Sequence, residues 1–344
     1  MVQPKLSICI PTCNRLNDLK TCLGWLLPQV AAAPAGQVEV VIVDNASSDG
    51  TPEYLDGLPG QYPFVRVFHN PRNLGFDGNT ARCIECANGE YTALLSDDDF
   101  YLDGQVENIL RVLAERDYAL VRLNYHTFLE DARRPYQTFQ PERDVFFPRA
   151  ADLLNFFHGG HFSGIIYRSE LAKATLAHML ARAPLDGQER ARGVYVELEL
   201  RIAKSSELPA YFIGRRLLAT SIPRALNYAA LENICLDHMR FHARLLAEGV
   251  ITPAEYERNK QITLKRLPQM IVTFTPGMSR AEIVRVTQGL RQYLGDAWRF
   301  RLICVPLLFI GQLAPGKALY ALARRLGRLI KRGIVYRTGL LVRR

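Results

Sequence analysis

The first hundred residues alternate short apolar runs with longer amphipathic stretches. Leu6–Ile10 is a β-rich run closed by Pro11-Thr12, and a helix is predicted from about Asn14 to Leu27. Val38–Val43 (VEVVIV) is apolar enough to be buried on both faces, the pattern of a central parallel strand. Beyond it, Thr51 is placed to cap a helix with Pro52 at its first position. Phe64–His69 reads as a third strand, Asn79–Ala87 as a helix and Tyr91–Leu95 as a fourth strand. Strands and helices alternating in this way predict an α/β fold with a Rossmann-like, mostly parallel, doubly wound sheet. Ile165–Arg168 adds a further strand signal.

Past about Ala225 the pattern becomes helical. Asn227–Leu246 has helical periodicity. Thr252-Pro-Ala-Glu255 is a capping box with Pro at the first helical position, and Ser279, with Glu282 three residues on, opens a helix to Leu294. The expected organisation is an α/β domain over 1–224, a helical extension over 225–297 and a separate segment over 298–344.

That last segment stands apart by charge. The 344 residues carry 43 Lys plus Arg against 34 Asp plus Glu, a net of +9. Trp298–Arg344 holds eleven of the basic residues and no acid, so the rest of the chain is close to neutral. A nucleic-acid enzyme would spread basic residues over its working surface, so no nucleic-acid partner is expected. Leu302–Ala314 is apolar but shorter than the roughly 20 residues needed to span a bilayer. Lys317–Arg332 places Leu319, Leu322, Leu326, Leu329 and Ile330 on one helical face and Arg or Lys over much of the rest. A basic, amphipathic end of this kind predicts association with an anionic membrane surface. The alternative is an ordinary helix packed on the body.

Composition narrows the class further. Apolar residues make up 48% of the chain, which excludes a globally disordered protein. Seven scattered cysteines imply no disulfide framework, and the lone Cys83-x-x-Cys86 pair has no partner pair or nearby His for zinc. The chain runs into strand pattern without a basic start or cleavage site, so no signal peptide is expected.

The chemistry concentrates at strand ends. Asp44–Asp49 follows the second predicted strand and Ser96-Asp97-Asp98-Asp99 the fourth. Ligands of open α/β sheets sit outside the carboxyl ends of strands. Clustered carboxylates there repel unless a cation or hydrogen-bond donor offsets them. Asp97–Asp99 suits a hard divalent cation, Mg²⁺ or Mn²⁺, clamping a diphosphate. Asp44 suits a ribose hydroxyl or a base N–H. Neither a GxGxxG after the first strand nor a GxxxxGK[ST] is present, which argues against dinucleotide and P-loop sites.

Four segments together resemble family 2 glycosyltransferases of the GT-A fold: Leu6–Arg15 (LSICIPTCNR), Val40–Thr51 (VVIVDNASSDGT), Asn73–Phe76 (NLGF) and Tyr91–Asp99 (YTALLSDDD). Their order and spacing match over roughly residues 4–115. Asn73–Arg82 ahead of Gly89-Glu-Tyr is similar to the abequosyltransferase-like branch of O-antigen assembly. The resemblance implies inverting, metal-dependent transfer of a sugar from a nucleotide donor. It implies that Pro11, Thr12 and Asn14 line the base pocket and that Asp44 binds base or ribose. Arg72 and Asn73 would flank the nucleotide, and Asp77, Asn79 and Arg82 would lie near the donor. Asp97 would face ribose or sugar, with Asp99 the principal metal ligand and Asp97 beside it; Asp98 would join the donor site, the alternative being that it points away from the metal and holds a backbone donor. Asp49 fits a helix-start residue better than a ligand.

Inversion requires a general base for the acceptor hydroxyl. The resemblance implies an acid in an ED-like segment, and Val194–Arg201 (VYVELELR) stands there without the Glu-Asp pair. Glu197 is the first candidate and Glu199 the second, followed by Asp186 or Glu189. The competing reading pairs Glu197 with Arg201 one turn on. His158–Gly164 implies an acceptor-facing His161, or a structural histidine.

The expected activity is therefore transfer of a sugar from a nucleotide-sugar donor to a lipid-linked or envelope glycan acceptor. UDP is the leading donor nucleotide, with CDP or dTDP as alternatives. The expected location is the cytoplasmic face of the cell membrane. A nucleotidyltransferase, which would show a glycine-rich basic loop after the first strand, and a non-catalytic protein on a decayed transferase core are the alternatives.

Overall fold

One sheet organises the first half of the chain, and in it β1 (Leu6–Thr12) and β2 (Val38–Asp44) are buried at every position. The computed structural model describes residues 3–156, 161–182, 193–221, 235–275 and 278–310. β3 (Val65–His69) and β4 (Tyr91–Leu94) complete the parallel half, β1 lying between β2 and β4. The remaining strands are β5 (Phe100–Tyr101), β6 (Leu120–Phe128), β7 (Gln137–Thr138), β8 (Val145–Phe147), β9 (Ile165–Arg168) and β10 (Ala210–Ser221). The sheet order is β3-β2-β1-β4-β9-β6-β10-β5, with β7 on β6 and β8 on β10. β6 and β10 are parallel, while β9 runs antiparallel between β4 and β6.

Period-two alternation sends β1 and β2 side chains into two separate cores. Ile8, Val40 and Ile42 pack with Leu19, Leu23 and Leu26 of the helix Leu16–Ala32. Cys9, Val41 and Val43 pack on the other face with Cys83, Ile84 and Leu198, from the helices Gly75–Cys86 and Val194–Ser205. Cys83 and Cys86 are thus core thiols, and all seven cysteines are free.

Element ends differ from expectation in two instructive places. Gly50, at φ 81°, is the N-cap of Thr51–Asp56, so Thr51 sits one position inside the helix. There its N–H and hydroxyl both donate to Asp49, which caps the turn instead. The helix expected from Asn79 starts at Gly75, because Asn73 Oδ1 takes the Gly75 N–H and organises the turn earlier.

Contacts divide the chain into Met1–Pro223 and Arg224–Arg344. In the second unit, the described helices Asp237–Ala247, Pro253–Phe274 and Arg280–Leu294 enclose Met239, Leu267, Ile271, Val286 and Leu290. Reciprocal capping boxes close Thr252 on Glu255 and Ser279 on Glu282. Residues 227–234 of the helix expected from Asn227 lie outside the described residues, as does the whole of Lys317–Arg332. Among the described residues no helix is long and apolar enough to cross a membrane.

Candidate active site

Strand order reverses between β1 and β4, the place where open α/β sheets form a ligand crevice. Both acid clusters stand at its mouth. β4 delivers Asp97 beside the end of β1, where Thr12 Oγ1 donates to Asp97 Oδ2 at 2.8 Å. Arg15 Nη1 bridges Asp97 Oδ1 at 2.7 Å and Asp98 Oδ2 at 3.0 Å. Ser96 Oγ also donates to Asp98. Burial raises the Asp98 pKa, but the Ser96 hydroxyl and Arg15 outweigh it and hold the group below the usual carboxylate range. Asp97 is more deeply buried and is held above that range despite Arg15.

Asp99 is different. Ser163 Oγ donates to its Oδ2 and the Ser221 N–H to its Oδ1, 2.9 Å away. Its nearest basic group is the His161 imidazole, Nδ1 lying 3.5 Å from Oδ2. That ring is pushed down to about 4 by burial, so it is neutral at pH 7. Burial and the charges of Asp98 and Asp97 push Asp99 up to about 8. Among the described residues, Asp99 thus has two neutral hydrogen-bond donors and no charged counter-ion.

The sign of the pH dependence follows. Asp99 takes up a proton on folding, so its contribution is fully present below pH about 4 and is lost as pH rises towards 8. Without divalent cations, Asp99→Asn is expected to match the parent's melting temperature only at about pH 3.5, below the unfolded carboxyl's pKa. By pH 8.5 it should exceed the parent by the equivalent of a few kcal/mol, roughly. A gap that stays constant with pH would refute the assignment.

At the end of β2, Asp44 is buried, accepts the Ser47 N–H and lies 3.3 Å from His69 Nδ1. His69 Nε2 faces Asp56 at 3.1 Å. Pro11 is buried next to Val43 in the β1–β2 register. Asn14, at φ 53°, donates its N–H to Ser47 Oγ and accepts the Ser48 N–H, so it pins the Asp44–Asp49 loop. Asn73 Oδ1 accepts from Asn45 at 2.9 Å, and Arg72 is exposed beside it. Asn79 is buried, and its amide donates to Val43 O and Thr12 O while accepting from Asn70. It braces the ends of β1 and β2. Arg82 is an exposed helix residue paired with Glu85.

Asp77 reaches across to the helix Val194–Ser205 and accepts the Gly193 and Val194 N–H groups at 3.0–3.2 Å. A carboxylate at a helix N-terminus satisfies orphan donors and complements the dipole. Asp77→Ala should therefore destabilise the protein by about 1 kcal/mol, read as a lower urea midpoint. An unchanged midpoint would show that the cap carries no weight. Phe76 adds ring contacts to Phe162 and Tyr195, 5.2 and 6.3 Å between centroids.

Glu197 and Glu199 are both buried on that helix. Glu197 Oε1 accepts from Arg201 Nε and Nη2 at 2.8 Å, so the i,i+4 pair exists. Glu199 is engaged by the buried guanidinium of Arg122, whose Nη1 also donates to His161 O at 3.1 Å. Asp186 and Glu189 lie outside the described residues.

Several residues here escaped sequence reasoning. Arg15 stands within the first motif, three positions past Thr12, and only geometry shows that it neutralises two acids. Ser163 adjoins the singled-out His161, while Ser221 reaches Asp99 across 122 positions with no sequence signal. Among the described residues no three His, Cys, Asp or Glu side chains converge as an all-protein metal cage.

Comparison with known proteins places these features. The profile of glycosyl transferase family 2 matches residues 7–176. Abequosyltransferase RfbV of Salmonella typhimurium is 37% identical over 95 residues, 27% of this chain and 28% of that protein. The chain spans 28–41% of the length of the curated relatives it matches. Among solved structures, S. aureus TarS in complex with UDP-GlcNAc aligns with a TM-score of 0.61 at 16% identity, over 90% of this chain and 87% of that one. Mannosyltransferase PcManGT from Pyrobaculum calidifontis, solved with GDP-Man and Mn²⁺, aligns at 0.54 and 17% identity, over 91% and 87%. These likenesses carry the fold: the GT-A arrangement implied by the motifs is the one present.

Proposed function

Because residues 7–176 match glycosyl transferase family 2, we propose that this chain moves a sugar from a nucleoside-diphosphate donor to a lipid-linked or cell-envelope glycan acceptor, with inversion at the anomeric carbon. The observation that carries the reading is Asp99: a buried carboxyl group at the mouth of the crevice that has, among the described residues, no counterpart of the Arg15 guanidinium that pairs with its two neighbours.

The residues fit a hard divalent cation. Asp97 and Asp99 offer carboxylate oxygens, and such ions are commonly held by one or two carboxylates plus substrate phosphates. Asp97 is already paired with the Arg15 guanidinium, whereas the two donors on Asp99, the Ser163 hydroxyl and the Ser221 N–H, are neutral, so Asp99 is the principal ligand. Mn²⁺ or Mg²⁺ held there supplies charge neutralisation for the departing nucleoside diphosphate.

The chain's own residues do the rest. Pro11, Asn14, Asp44, Arg72 and Asn73 hold the nucleotide end, Asp44 taking a base N–H or a ribose hydroxyl. Glu197 removes the acceptor hydroxyl proton as the new C–O bond forms and the bond to the diphosphate breaks on the opposite face. Glu199, bound to Arg122, fixes the His161 backbone instead of acting as base. His161 faces the acceptor as a neutral ring. We place the chain on the cytoplasmic face of the cell membrane, a location supported by its acid-free basic end.

The test is a thermal-shift panel of UDP, CDP, GDP and dTDP with and without Mn²⁺. A ligand bound only by the native state at 100 times its Kd stabilises by about 2.7 kcal/mol. Stabilisation by one diphosphate that requires Mn²⁺ is expected, with UDP the first candidate. No shift with any of the four would refute the reading.

A further inference from the structure

We propose that residues 298–310 are a two-faced anchor whose outer side lies in the surface of an anionic lipid bilayer. The inference rests on the membrane location proposed above and is independent of the transfer chemistry.

The inner side is fixed. Phe300, Cys304 and Leu308 are fully buried in the core of the second unit, packed with the group that includes Leu267, Ile271 and Leu290. The outer side is apolar and open: Trp298 is 61% exposed, Leu302 72%, Ile303 39%, Phe309 40% and Ile310 41%. Half of the large apolar side chains exposed on the described chain fall within these thirteen residues. Solitary exposed apolar residues need no explanation, but a contiguous set marks an interaction surface. Arg299 and Arg301 are exposed among them, Arg299 lying over the Trp298 ring at 5.5 Å.

Charge selects the occupant. The sequence from Trp298 to Arg344 has eleven Lys or Arg and no acid. A second copy of the chain would set this excess against itself across a symmetric contact. A nucleic acid would take the charge but leave the apolar face uncovered. A bilayer with anionic headgroups offers both partners: the acyl boundary for Trp298, Leu302, Ile303 and Phe309, and negative charge for the arginines. Tryptophan favours that boundary because its ring is amphipathic. The apolar run Leu302–Ala314 is shorter than the roughly 20 residues a span needs, so the segment lies in the plane of the interface.

The sequence has two tryptophans, Trp25 and Trp298, so Trp25→Phe makes Trp298 a private reporter. The full chain is mixed with vesicles of phosphatidylcholine, or of phosphatidylcholine with 30% phosphatidylglycerol (by ~mole fraction). Trp298 emission should shift to the blue and be quenched by brominated acyl chains only with the anionic vesicles. Leu302→Glu and Trp298→Ser, both at exposed positions, should weaken vesicle co-sedimentation about tenfold or more. Their melting temperatures and nucleotide-induced shifts should stay at parental values. Vesicle binding without quenching, or unaffected by both substitutions, would overturn the apolar anchor and leave charge alone as the cause. Absence of binding, or a blue shift that follows dimerisation in light scattering without lipid, would overturn the bilayer as partner.

Discussion

Asp99→Asn will abolish the Mn²⁺-dependent stabilisation by nucleoside diphosphate and lower transfer about 10²- to 10³-fold. The size is that of losing one preorganised charge contact at a departing group. The substitution keeps the side chain's shape and its acceptor for Ser163 or the Ser221 N–H, so the fold should survive. What it removes is the negative charge, which burial and two neighbouring acids already make costly without a cation. Calorimetric Mn²⁺ titration in the presence of the diphosphate, together with initial rates, checks the prediction. Parental Mn²⁺ affinity in the variant would sink the metal assignment while leaving the fold untouched.

Glu197→Gln will slow transfer by roughly 10²- to 10⁴-fold, the range for a positioned general base, while nucleotide binding is unchanged. Glutamine retains a carbonyl oxygen for the Arg201 guanidinium, which Glu197 Oε1 now accepts from twice. The substitution therefore separates two roles that share one side chain. If Glu197 serves only its ion pair with the half-buried Arg201, turnover holds and only the melting temperature falls. If it is also the base, turnover collapses far beyond what that same loss of stability explains. Glu199→Gln is the control: its carboxylate is committed to Arg122, so its loss should appear first in stability.

The parallel half of the fold was legible because β1 and β2 are buried on both faces and read as unbroken apolar runs. β6 and β10 were not. β6 carries Arg122, Asn124 and His126 at buried positions, a polar row that resembles a surface strand. Arg122 and Asn124 meet distant partners, Glu199 and the Gly214 carbonyl, while His126 Nε2 meets the Ala132 carbonyl six positions on. β10 is broken by a register shift between Ile213 and Leu218, so its two apolar halves do not look like one element. The same distinction runs through the site. Asp44, Asp97 and Asp99 announce themselves at strand ends, where local sequence suffices. Arg15's bridge, the Ser221 N–H on Asp99 and the Asp77 cap depend on chain segments up to 122 positions apart, which periodicity cannot register.

The Asp77 cap also bears on kinetic order. Phe76 and Asp77 follow directly on the Asn73–Gly75 turn at the proposed nucleotide side, and Asp77, through the Gly193 and Val194 N–H groups, holds the helix that carries Glu197. Whatever steadies that turn steadies the proposed base. A nucleotide-sugar entering first would complete the pocket for the second substrate, giving a compulsory sequence of addition rather than a random one. Product inhibition reports this directly: the nucleoside diphosphate should compete with the donor and be noncompetitive towards the acceptor. In Asp77→Ala that sequence should relax towards random addition.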